Sequence, residues 1–151
     1  MKKIIGLFLV TCAFTTNANP AANQAAMTPL HEAAFNGSVA NVVALIETGA
    51  YSVNEVMAET NSTPLHFAAT NGHTNCVKKL LEYNAAVNAT AGALGWTPLH
   101  FAVMYGHDEC AQELLMHGAN VNAVSNEGVT PLYCATTQGH EQCIILHGAK
   151  L

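Results

Sequence analysis

The chain has 151 residues, half of them hydrophobic and only 10% charged, with a formal net charge of −5 at pH 7. Its five basic residues are all lysines, so it lacks the clustered Lys and Arg that neutralise nucleic-acid phosphates. The same shortage of cations disfavours anionic membrane surfaces, and a charged partner surface is expected to be neutral or basic.

Residues 1–18 read as a leader. Lys2-Lys3 is a basic start, Ile4–Phe14 is an uncharged stretch of eleven residues, and Thr16-Asn17-Ala18 offers small residues for cleavage. Such a run is too short to cross a bilayer, which takes about 20 apolar residues. Leu9-Val10-Thr11-Cys12 leaves a lipid-anchored alternative open at Cys12. The Met-Lys-Lys opening looks bacterial, and the expected destination is the periplasm or the exterior. Without the leader, Lys78, Lys79 and Lys150 face ten carboxylates, a formal charge of −7. Residues 19–27 follow as a short linker.

From residue 28 the chain repeats itself. Thr-Pro-Leu-His stands at Thr28–His31, Thr63–His66 and Thr97–His100, and returns as Thr130-Pro131-Leu132-Tyr133; the intervals are 35, 34 and 33 residues. Thr before Pro predicts a helix start, with the hydroxyl accepting an otherwise unpaired amide and Pro in the first turn. Gly37, Gly72, Gly106 and Gly139 each fall eight residues after the Pro and end a short first helix. A second helix follows, with apolar residues such as Val77, Leu80 and Leu81 at helical spacing. It ends at Gly49, Asn84, Gly118 or Gly148, and Asn84 stands where positive φ is needed. The fourth copy is shortened: Gly106 to Gly118 is twelve residues, but Gly139 to Gly148 is nine. It is expected to be an irregular cap.

This pattern resembles the ankyrin repeat, whose Thr-Pro-Leu-His-x-Ala signature it matches at the right period. The resemblance implies an all-α solenoid of helix-turn-helix units joined by hairpin-like loops, with repeats at about 28–60, 61–94, 95–127 and 128–151. One helix pair cannot bury its apolar face alone, so neighbouring repeats bury it for each other. The family's usual role implies a monomeric, non-catalytic module that binds a protein partner, with no cofactor and no metal.

Eight histidines and five cysteines invite a metal or thiol reading. His31, His66 and His100 belong to the repeat tetrapeptide, and His73, His107 and His140 follow the mid-repeat glycine. In chains of the resembling family such histidines hydrogen-bond between neighbouring turns. No Cys-x-x-Cys or His-x-x-x-His pair offers zinc-ligand spacing. Cys76, Cys110 and Cys143 share one core position and are expected to stay unbridged across repeats. Cys134 and Cys143 fall on the two helices of one repeat, which leaves a disulfide, or a thiol-redox or metal-dependent role, as the alternative, beside a vestigial protein without an active role.

The resemblance places binding on the concave face, built from loop tips and the exposed side of each first helix. The candidate residues there are Phe35 and Asn36, Thr70 and Asn71, Met104 and Tyr105, Thr137 and Gln138, with Leu94 and Trp96 on the loops. Leu94, Trp96, Met104 and Tyr105 fall together in the third repeat, and aromatics and Met on an exposed face are enriched at interface hot spots.

Overall fold

The computed structural model describes residues 27–138. The expected pairs of helices are present: α1 (Pro29–Phe35) with α2 (Val39–Glu47), α3 (Pro64–Thr70) with α4 (Thr74–Glu82), and α5 (Pro98–Met104) with α6 (Asp108–Met116). A further first helix, α7 (Pro131–Gln138), closes the described part. Among the described residues there are seven helices and no strand. The second helix of the fourth repeat, the helix stops at Gly139 and Gly148, and Cys143 lie outside them.

A proline opens every first helix, where its missing amide costs no hydrogen bond. Gly37, Gly72 and Gly106 end α1, α3 and α5 at φ +72°. Asn84 sits at φ +63°, beside Gly49 at +69° and Gly118 at +88° in the other copies, as the sequence led one to expect.

First helices stack on first helices, α1 on α3 on α5 on α7, and second helices on second helices, α2 on α4 on α6. The shared core runs along both rows: Leu30, Leu65 and Leu99 in one, Val42, Val77, Leu80 and Leu114 in the other, all fully buried. Each such leucine contributes about 2 kcal/mol by burial. Ala33, Ala68 and Ala102 are buried at one shared position of the first helices, where a small side chain suits close helix packing. The Cys110 site is filled by a thiol that acts as a small hydrophobe.

Between the repeats run hairpin-like loops, here called fingers, at residues 57–62, 91–96 and 125–129. Each is closed by its own backbone: the Met57 amide donates to the Ser62 carbonyl at 3.0 Å, Ala91 to Trp96 at 2.8 Å, and Ser125 to Val129 at 2.9 Å. Neighbouring fingers are joined too. The Gly92 amide donates to the Thr60 carbonyl, and the Asn126 amide to the Leu94 carbonyl.

Candidate functional site

The histidines of the repeat tetrapeptide hold the fingers to the helices. The His66 Nδ1 atom accepts the Thr63 amide at 3.1 Å, so the ring proton sits on Nε2. From there it points at two carbonyls, Ala89 at 3.1 Å and Trp96 at 3.2 Å. His100 repeats this arrangement, with its Nδ1 on the Thr97 amide and its Nε2 on the Val129 carbonyl. The expected threonine cap therefore becomes a reciprocal capping box in α3 and α5, with a histidine ring as the returning arm. At Thr130 the hydroxyl accepts the Tyr133 amide at 3.2 Å. At Thr28 the expected cap bond is not made. Its hydroxyl lies 2.8 Å from His31 Nδ1 and donates to Glu55 Oε2 at 3.3 Å.

Burial in this backbone cage disfavours a charged ring. Desolvation pulls His66 down to about 4, and lowers His31 and His100 in the same direction. His73 and His107 act between repeats instead. The His73 Nε2 atom donates to the Phe35 carbonyl at 2.8 Å, and that of His107 to the Thr70 carbonyl at 3.0 Å. Their rings lie over Gly37 and Gly72, where a methyl group would stand 2.6 and 2.5 Å from the ring nitrogen. These contacts fix the ends of α1, α3 and α5 in one row. His117, at the end of α6, bonds the Glu113 carbonyl through Nδ1 at 2.9 Å.

That row carries most of the predicted binding residues. Phe35 is half-buried and packs edge-on against Phe67, with ring centres 6.3 Å apart. Thr70 and Asn71 turn back on their own helix, bonding the His66 and Phe67 carbonyls at 2.7 and 2.9 Å. Asn36 and Tyr105 are exposed, Tyr105 at 38%, and Met104 is half-buried beside it. Leu94 is half-buried at the tip of the second finger. Trp96 is half-buried, its indole stacked on His100 at 5.9 Å and edge-on to Phe101 at 5.3 Å. It thus covers its own repeat, and its Nε1 is buried without a hydrogen-bond partner. Thr137 and Gln138 lie in the last turn of α7, and their side chains fall outside the described part.

Sequence reasoning missed Phe67 and Phe101. Both occupy the position after the tetrapeptide histidine, and His31 and His66 meet them edge-on at 5.6 and 5.8 Å. Phe101 and Tyr105, the residue that caps α5, are four residues apart and lie on one side of the helix. With Trp96 packed against Phe101, three aromatics are placed along α5 from the loop before it to its C-cap, an aromatic strip by position. Repeats 1 and 2 carry Asn36 and Asn71 where the third has Tyr105, and this substitution is visible in the sequence.

A depression of about 460 Å³ lies on the leading side of α1 and α2, where Asn36 joins Glu32, Asn41 and Leu45 in its lining. A second, about 310 Å³, lies between the turns at Gly72 and Gly106. Neither includes Trp96 or Tyr105.

No three His, Cys, Asp or Glu side chains converge as a metal site among the described residues. Cys76 and Cys110 are free and buried, and burial raises both thiols. Cys134 is pushed up to about 11. A reactive thiol requires the opposite shift. The Cys134–Cys143 pairing lies outside the described residues. Lys78 and Lys79, both on α4, are engaged by Glu113 at 3.1 Å and Glu82 at 2.6 Å. The first helices and fingers, by contrast, carry Glu32, Glu59 and Glu127 and no lysine. No helix among the described residues is long and apolar enough to cross a membrane.

Comparison with known proteins adds one finding. A family model described as ankyrin repeats (3 copies) matches residues 4–91 and 88–148. The matched span begins inside the segment read as a leader. No curated protein matches the chain.

Proposed function

The chain belongs to the ankyrin-repeat family, and from that premise we propose that it holds a protein partner on the face formed by its first helices and fingers, centred on the third repeat. Ankyrin repeats generally mediate protein–protein interaction. The observation that carries the reading is the α5 strip of Trp96, Phe101 and Tyr105, open to solvent at Tyr105 and flanked by Met104. A preformed aromatic surface binds with little loss of side-chain freedom, which favours affinity. The carboxylates Glu59 and Glu127 on the fingers give the rim an acidic character that suits a neutral or basic partner.

The buried thiols give the redox alternative no support. The test is affinity capture with the full chain beside a Met104→Ala/Tyr105→Ala variant, from a bacterial envelope extract and from a eukaryotic lysate. A partner held by the parent and bound at least about tenfold more weakly by the variant supports the reading. Equal capture by both chains refutes the third repeat as its centre. The leader over residues 1–18 is part of the same proposal and places the working protein outside the cytoplasm. N-terminal sequencing of exported protein should begin at Asn19, and retention of residues 4–18 would overturn that placement.

A further inference from the structure

The buried ring of the first repeat differs from its two counterparts at one nitrogen. In His66 and His100, Nδ1 accepts a backbone amide, that of Thr63 at 3.1 Å and that of Thr97 at 3.2 Å. A proton added there would face another N–H donor, so each ring would lose that bond on charging. His31 Nδ1 accepts no backbone amide, because the capping box of α3 and α5 is not formed in α1. It faces the Thr28 hydroxyl at 2.8 Å instead.

The group of atoms around that hydroxyl is one proton short. His31 Nε2 lies 3.1 Å from the Glu55 carbonyl and 3.0 Å from the Ser62 carbonyl. Carbonyls only accept, so the proton of the neutral ring sits on Nε2 and leaves Nδ1 an acceptor. The Glu55 carboxylate is an acceptor too, and its Oε2 lies 3.3 Å from the same hydroxyl. Thr28 has a single O–H to give to the two. One added proton resolves the conflict: on Nδ1 it donates to the Thr28 oxygen, and the hydroxyl proton goes to Glu55. Ala89 and Ala123 stand where the first repeat has Glu55, so the later repeats have no carboxylate at that position to end such a chain.

We propose that Thr28, His31 and Glu55 form a proton-operated latch, in which His31 takes up one proton from solvent on Nδ1 ahead of the other buried rings and so ties the start of α1 to Glu55 through the Thr28 hydroxyl. Charge-assisted bonds of this kind are stronger than the neutral contact they replace. The Glu55 carboxylate favours the proton on the ring, against burial, which disfavours it. The other acidic and imidazole groups on the surrounding elements are placed differently. Glu32 is exposed on α1, Glu59 is exposed on the finger, and Glu47, at the end of α2, is engaged by the Tyr83 hydroxyl. His66 on α3 is itself held back from charging by a charge on His31, so the first proton opposes a second one repeat on. In mild acid the first repeat gains a bond at its helix start, whereas a proton on His66 or His100 costs the Thr63 or Thr97 amide its acceptor. The latch is independent of any partner on α5.

Imidazole NMR on the nitrogen-15-labelled full chain tests this, read stepwise from pH 7.5 to 4.5 with the amide spectrum reporting the fold. His31 should be the first of the three buried rings to charge. Both its nitrogens should report imidazolium while His66 and His100 still report a neutral ring protonated on Nε2. Glu55→Gln keeps an acceptor for the hydroxyl but removes the charge, and Thr28→Val removes the relay. Each should weaken proton binding at His31 at least about threefold, and Glu32→Gln should leave it unchanged. The proposal is overturned if His31 charges together with or after His66 or His100, or if either variant of the latch leaves its midpoint in place. An equal shift in Glu32→Gln would also overturn it, because any nearby surface carboxylate would then serve.

Discussion

His66 gives the most quantitative prediction, because its ring is 2% exposed and has its nitrogens committed to backbone partners. The folded chain holds the ring neutral, with its pKa drawn from 6.5 to about 4. The unfolded chain therefore binds the extra proton between those values, and stability is complete above pH 6.5 and lost as pH falls toward 4. A difference of about 2.5 units at 1.36 kcal/mol each amounts to about 3 kcal/mol. The assay is urea denaturation of the parent and of His66→Gln at steps from pH 7.5 to 4. Gln keeps a donor near the Ala89 and Trp96 carbonyls but cannot titrate. It should cost about 1–3 kcal/mol at pH 7.5 through the unpaired Thr63 amide. Its acid slope should then be shallower than the parent's by about 3 kcal/mol over the range. Parallel slopes would show that the ring titrates normally, and the account of a desolvated histidine cage would be wrong.

Two further outcomes follow from the same geometry. Gly72→Ala adds a methyl group 2.5 Å from His107 Nδ1 on a backbone at φ +72°, whereas Gly118→Ala meets nothing within 4 Å at φ +88°. The first should cost about 2–4 kcal/mol in urea melts and the second about 1 kcal/mol; equal costs would mean that the inter-repeat ring contact contributes nothing. Cys76, Cys110 and Cys134 should react with a disulfide probe at pH 8 only on unfolding. A thiol that reacts in the folded chain with a pKa below 8 would restore the redox reading.

Much of the fold was legible in the sequence because its signals are local. Pro64 after Thr63, Gly72 eight residues on and Asn84 at the next stop each report a backbone requirement of their own position, and the structure meets all three. The sites between repeats were less legible. Periodicity places His66 and Trp96 in register, but the cage at Ala89 and Trp96 joins residues 23 and 30 positions away. Trp96 drew attention as a large aromatic on a loop, and only packing against His100 and Phe101 shows how much of it serves its own repeat. Tyr105 was visible because it replaces Asn36 and Asn71 at one register. Phe67 and Phe101 escaped because a phenylalanine beside a core motif reads as core, while both remain half-buried.

The central claim is that the α5 face of the third repeat meets a protein partner. The direct measurement is site-specific photo-cross-linking in the producing cells, with a benzophenone side chain at Tyr105 or, for comparison, at Met116 on α6, which is 65% exposed. A discrete protein adduct from position 105 and none from 116 is the predicted result. An adduct from 116 alone would contradict the account and move the interface to the second-helix face.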